Sequence, residues 1–213
     1  MNEYSLNTNF FYLNNFITVA LIHLLAVVSP GPDFIVVIRQ CNKYGRKSAV
    51  LTSFGIAIGI LFHVSYCIIG VGFINENTSY MYAVRIFGSL YLFYIGFKSL
   101  FLKNKISLDD NVSISHNSLN NSFILGFITN IFNPKATLFF LSVFSLVIHD
   151  STPVIIKSLY GIWMCLVTGI WFCLVSFFFT TKIFEIFISK YSLIIDKIMG
   201  VLLMYISTKL FLF

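Results

Sequence analysis

Long apolar stretches alternate with short polar ones along the whole chain, at about 10 to 38, 48 to 74, 78 to 102, 122 to 148, 154 to 181 and 191 to 213. A membrane-crossing helix needs about 20 mostly apolar residues, and the pattern predicts six. Strands of a membrane barrel would alternate apolar and polar residues over about ten positions. These runs are continuous, so helices are the spanning structure they predict. In the sixth stretch the uncharged run lies between Lys197 and Lys209, and both lysines must extend to opposite interfaces.

Two of the stretches are interrupted. In the first, Ser29, Pro30, Gly31, Pro32 and Asp33 cannot continue a helix, because each proline lacks an N–H and clashes with the preceding turn. The helix is expected to restart with Gly31 as N-cap, Pro32 at the first helical position and Asp33 at the second. About a hundred residues later Asn133, Pro134 and Lys135 repeat this arrangement in the fourth stretch, with Asn133 as N-cap. Broken backbone at membrane depth survives only against protein or a watery cavity, which makes both breaks site candidates. Asp33 either complements the positive end of its half-helix or serves a site. Lys135 is opposed by that same dipole, and a charge at mid-membrane costs roughly 2.5 to 3.5 kcal/mol. It needs a partner, either Asp33 or a substrate anion.

The stretch 104–121, rich in asparagine and serine, is the one extended polar linker. It divides a single transmembrane domain, 1–213, into halves 1–103 and 122–213 of three helices each. Three is odd, so the second half enters the membrane inverted, and matched breaks in two inverted halves point to the binding site of a secondary transporter. Basic residues follow the first stretch (Arg39, Lys43, Arg46, Lys47), follow the third (Lys98, Lys103, Lys105) and surround the fifth connection (Lys182, Lys190, Lys197). Those regions are expected on the cytoplasmic side, and both termini outside.

Composition excludes several classes. The chain is 58% hydrophobic and 10% charged, against about a quarter charged in soluble domains. The net charge of +6 is scattered between apolar stretches, which reads as membrane topology, not nucleic-acid binding. The first nine residues hold Glu3 and no basic residue, unlike a secretory signal peptide, so the first stretch is expected to remain as a helix. Cys41, Cys67, Cys165 and Cys173 have no CxxC spacing and form no ligand pattern with histidines. No cofactor or metal is expected, and no GxxxxGK[ST] loop supports ATP hydrolysis by the chain itself.

Gly55, Gly59 and His63 recur every four residues in the second stretch, a nearly bare helix face that must pack against another helix. His63 is either a structural hydrogen-bond partner or a proton-handling group. The third stretch repeats the design with Gly88, Leu92 and Gly96. Tyr91 and Tyr94 either line a cavity as substrate contacts or belong to the aromatic belt.

These residues carry a resemblance. SPGPDF at Ser29 to Phe34, YGRKSAV at Tyr44 to Val50, GIAIGILFH at Gly55 to His63, RIFGSLYLFYIGFKSL at Arg85 to Leu100 and NPKATLFFL at Asn133 to Leu141 resemble the LysE/RhtB family of bacterial amino-acid exporters. The resemblance implies a six-helix carrier in the cytoplasmic membrane, driven by proton motive force, in which Pro30 to Asp33 and Asn133 to Lys135 form the two broken helices. It also implies histidine at position 63 in several members. Ile60 stands where many members carry an acidic or polar residue, so no individual substrate is carried over.

The reading that follows is a non-enzymatic exporter of zwitterionic amino acids, embedded in lipid, with glycine faces that suit packing within one chain or in a homo-oligomer. Carboxylate binding falls to the half-helix N-termini and Lys135, ammonium binding to Asp33, and proton coupling to Asp33 or His63. The alternative from another class is a membrane thiol electron carrier, which would need paired cysteines near the midplane. Cys165 and Cys173 lie two helical turns apart, too far to pair.

Overall fold

Helix α1, Glu3–Val28, stops where Ser29 and Pro30 interrupt the hydrogen-bond ladder, and α2, Pro32–Tyr44, starts two residues later. The computed structural model describes residues 3–75, 78–101, 119–148, 152–178, 190–191, 193–194, 197–198, 200–205, 207–208 and 211. Among these all the regular structure is helical. Gly45 joins α2 to α3, Arg46–Asn75, with φ 83° and ψ 175°, a backbone conformation that side chains other than glycine rarely adopt. Then follow α4, Thr78–Phe101; α5, Leu119–Ile131; α6, Pro134–Ser142, continued by a π-helical turn Val143–Val147; and α7, Val154–Phe178.

Among the described residues, three helical stretches are long and apolar enough to cross a membrane: Phe10–Val28, Arg46–Gly70 and Val154–Phe178. Counting the bent pair Asn121–Ile131 and Pro134–Ser145, which turns by 54°, as one broken span makes four. The first interruption differs from expectation. Phe10–Val28 holds 19 residues, about 28 Å at roughly 1.5 Å per residue, so it reaches nearly across before the break. The helix beyond it, α2, carries Arg39, Gln40, Asn42 and Lys43 and is not a second apolar half-span. Of the third stretch, α4 is continuous with a shorter apolar part, Ser89–Phe101. Most of the linker 104–121 lies outside the described residues, as do the turn residues 76–77 and 149–151, and the sixth stretch is described only in part.

Helix α3 is the central element, packed against α2, α5, α6 and α7. Its contact with α5 is backbone to backbone. A Cβ on Gly55 would overlap the Phe123 carbonyl, and one on Gly126 would overlap the Thr52 carbonyl. Without a hydrophobic force between helices in lipid, close approach and hydrogen bonding hold such a seam. Here Thr52 Oγ1 donates to the carbonyls of Ser48 (2.9 Å) and Ser122 (3.1 Å), and the Ser48 and Ser122 hydroxyls pair at 2.8 Å. Gly96 of α4 meets Gly200 and Met204 in the same manner, while the surroundings of Gly88 lie outside the described residues.

Among the described residues the core forms two clusters. One joins α1, α3, α6, the π turn and α7 around Phe140, Phe144 and Met164; the other joins α2, α3 and α7 around Phe34, Ile38 and Phe172. The outward faces remain apolar at helical spacing. Phe10, Leu13, Ile17, Leu21 and Leu24 on α1, and Ile155, Leu159, Ile162, Leu166 and Ile170 on α7, are all exposed. Stripes of this kind on buried-cored helices are lipid-facing surface.

Candidate functional site

The two helix restarts meet. Gly31 precedes Pro32 in extended backbone, with no side-chain cap on α2, and Asp33 lies in that helix's first turn. Asn133 caps α6 through Oδ1, which accepts from the Lys135 N–H at 3.0 Å, and Pro134 takes the first helical position. The capping asparagine also faces the other break: its Nδ2 donates to Asp33 Oδ2 at 3.0 Å. Asn130, one turn earlier on α5, donates to the same oxygen at 2.9 Å. The second oxygen, Asp33 Oδ1, is buried with no hydrogen-bond partner.

Lys135 reaches in the opposite sense. Its Nζ donates to the Ser29 carbonyl (3.1 Å) and to Ser29 Oγ (2.8 Å), beyond the last turn of α1. A cation at a helix C-terminus is favoured by the dipole, so the lysine disfavoured at the start of α6 is compensated at the end of α1. The stem of Lys135 runs along Gly31, where a Cβ would stand 3.5 Å from Cδ. Each break thus supplies a hydrogen-bond partner to the other, Asn133 to Asp33 and Ser29 to Lys135.

Between them lies a cavity with about 60 Å³ open to the centres of water-sized molecules. A single water needs roughly 10–15 Å³ of such space, so the cavity has room for several waters or a small molecule. Its polar wall is Ser29, Gly31, Asp33, Asn130, Asn133 and Lys135, and its apolar wall includes the rings of Phe34, Phe139, Phe140 and Phe172. Pro30, Pro32 and Pro134 are not in the wall; they set the backbone that presents it.

His63 stands behind this wall. Its Nε2 lies 3.0 Å from the Asn130 carbonyl and its Nδ1 lies 2.9 Å from the Tyr66 hydroxyl, with the ring stacked on Phe140 at 5.4 Å. A carbonyl only accepts, so Nε2 carries a proton. The Tyr66 hydroxyl is also 3.3 Å from the Thr137 carbonyl on α6. Together His63 and Tyr66 grip α5 and α6 on both sides of their bend. Tyr91 and Tyr94 are not brought to the cavity. They lie side by side on α4 with centroids 6.1 Å apart, and Tyr94 is exposed.

Asn130, His23 and Thr168 enter the site without having been singled out from the sequence. A signal existed for two of them: His23 is an ionisable residue inside an apolar stretch, and Asn130 is a second asparagine three residues before the capping Asn133, in the last turn of α5 before the break. Cys41 and Cys67 are buried and Cys165 and Cys173 half-buried, all four as free thiols.

The sequence profile of the LysE type translocator family matches residues 24–212. A threonine efflux protein of Salmonella typhi is 34% identical over 139 residues, 64% of this chain and 68% of its own. The threonine efflux protein of Escherichia coli (strain K12) is 33% identical over the same shares. The uncharacterized membrane protein YrhP of Bacillus subtilis (strain 168) is 30% identical over 127 residues, 56% of this chain and 60% of its own. No solved structure gives a significant match.

Proposed function

Because the chain belongs to the LysE type translocator family, and is therefore a membrane transporter and not an enzyme, we propose that it exports a small zwitterionic amino acid through the cavity between its two breaks. The observation that carries this reading is the buried Asp33 Oδ1, left without a partner in a cavity whose wall also holds Lys135. Asp33 binds the substrate ammonium. Lys135 turns from Ser29 to the carboxylate, aided by the N–H groups at the starts of α2 and α6. One fixed anion and one fixed cation match a zwitterion without leaving net charge in the membrane. Threonine is the first substrate to test, since relatives at 33–34% identity are threonine efflux proteins.

The architecture in this proposal is six helices in two inverted halves, 1–103 and 122–213, joined by the cytoplasmic linker 104–121, with both termini outside the cytoplasmic membrane. Rocking of one half against the other alternates access to the cavity. Proton motive force drives export, with Asp33 as the coupling group; His63, engaged at both ring nitrogens, serves to hold the bend. The free cysteines and the relatives lend no support to a thiol electron carrier.

The test uses bacterial cells loaded with dipeptides that are hydrolysed inside. Wild type releases one or a few amino acids faster than cells lacking the protein, and Asp33→Asn and Lys135→Ala, present in the membrane at equal level, do not. If wild type speeds the exit of no amino acid, the reading fails; if Asp33→Asn exports fully, the site assignment fails.

A further inference from the structure

The cavity has a second polar end that neither break supplies. His23 on α1 and Thr168 on α7 are 2% and 1% exposed and line the same cavity as Asp33 and Lys135. Thr168 Oγ1 lies 3.2 Å from His23 Nε2, whereas His23 Nδ1 is buried with no hydrogen-bond partner. The imidazole is otherwise enclosed by rings, with centroids of Phe139, Phe140 and Trp163 at 5.9, 6.4 and 5.8 Å. Such surroundings offer the orphaned nitrogen nothing, and a buried polar atom left unpaired is costly.

We propose that His23, oriented by Thr168, reads the side chain of the transported amino acid and favours one bearing a hydroxyl. This rests on the exporter reading and deepens it. His23 precedes Ser29, the residue just past the end of α1, by six residues, about 9 Å along the axis at roughly 1.5 Å per residue. In this proposal an amino acid whose charged groups occupy Asp33 and Lys135 directs a short side chain toward His23, which lines the same cavity.

Hydrogen-bond logic selects the hydroxyl. If Thr168 donates to Nε2, the ring proton is on Nδ1, which is then a buried donor without an acceptor. If Thr168 accepts from Nε2–H, Nδ1 is an acceptor instead. A hydroxyl both donates and accepts, so it completes either tautomer. A methyl group completes neither, and a site built to bond a hydroxyl discriminates against the analogue that lacks it.

Threonine and valine differ by this one exchange of hydroxyl for methyl and have nearly the same shape. The experiment measures initial export of both from cells loaded with threonine- and valine-containing dipeptides, for wild type, His23→Leu and Thr168→Val, with each protein quantified in the membrane fraction. Wild type favours threonine by about tenfold or more, in line with the cost of an unmet buried hydrogen bond. In His23→Leu the threonine-to-valine ratio falls about tenfold, and in Thr168→Val it falls severalfold in the same direction.

A wild type without preference overturns the inference, as does a His23→Leu protein that loses both amino acids equally and keeps the ratio. If His23→Leu fails to accumulate, Thr168→Val decides: an unchanged ratio overturns the inference and a reduced one supports it. Failure of wild type to export either amino acid sinks the exporter reading itself, and the assignment of His23 with it.

Discussion

Asn133 serves both breaks with one side chain: its Oδ1 accepts the Lys135 N–H at 3.0 Å and its Nδ2 donates to Asp33 Oδ2 at 3.0 Å. The cap and the link to Asp33 separate on mutation. Asn133→Asp retains an N-cap acceptor but sets a carboxylate against that of Asp33. The expected outcome is a protein destabilised although its cap is kept, because two buried carboxylates oppose each other, and one that has lost most of its export, read by thermal unfolding in detergent beside the export assay. Wild-type export by this variant would remove the Asn133–Asp33 contact from the mechanism.

The seam between α3 and α5 tolerates no added carbon. Gly55→Ala and Gly126→Ala each drive a methyl group into a facing backbone carbonyl, which a rotamer change cannot relieve. Overpacking of this kind costs typically 1–3 kcal/mol or more. Each variant is expected to lower the unfolding midpoint in detergent, and the pair together to fall short of the sum, because they relieve the same helix approach.

Gly45 and Gly70 separate conformation from space, since nothing lies within 4 Å of a Cβ at either position. Gly45 has φ 83°, so Gly45→Ala forces a strained backbone worth about 1–3 kcal/mol. Gly70 lies inside α3, where alanine is the better helix former by about 0.8–1 kcal/mol. The same substitution should therefore destabilise the protein at 45 and leave it unchanged or firmer at 70, as measured by the unfolding midpoints of the two variants.

Tyr66 connects His63 on α3 with the Thr137 carbonyl on α6. Tyr66→Phe removes the hydroxyl and leaves His63 Nδ1 unpaired, a loss of about 1–3 kcal/mol. Export should decline less than in Asp33→Asn, because Tyr66 is not in the cavity wall. Complete loss of export from a stably inserted Tyr66→Phe protein would move the His63–Tyr66 pair from holding the bend to the transport step itself.

The helix ends were legible from the chain alone because they depend on neighbours within one turn. Proline stops a ladder wherever it falls, and Gly31–Pro32 and Asn133–Pro134 start helices for reasons contained in four or five consecutive residues. The same holds for the membrane class, which follows from apolar runs, and for the need of Lys135 for a partner, which follows from the sign of its charge. The bare face of Gly55 and Gly59 likewise announced close packing, though not that α5 would fill it.

What the tertiary structure decided were the pairings across distance. Lys135 met the carbonyl end of α1, 106 residues away, Asp33 met Asn130, 97 residues away, and His23 met Thr168, 145 residues away. No local preference selects one intramembrane polar residue as the partner of another. Which ones share a cavity depends on how α1, α5 and α7 pack around α3, and so Tyr91 and Tyr94, as plausible as His23 in the sequence, lie away from the cavity on α4.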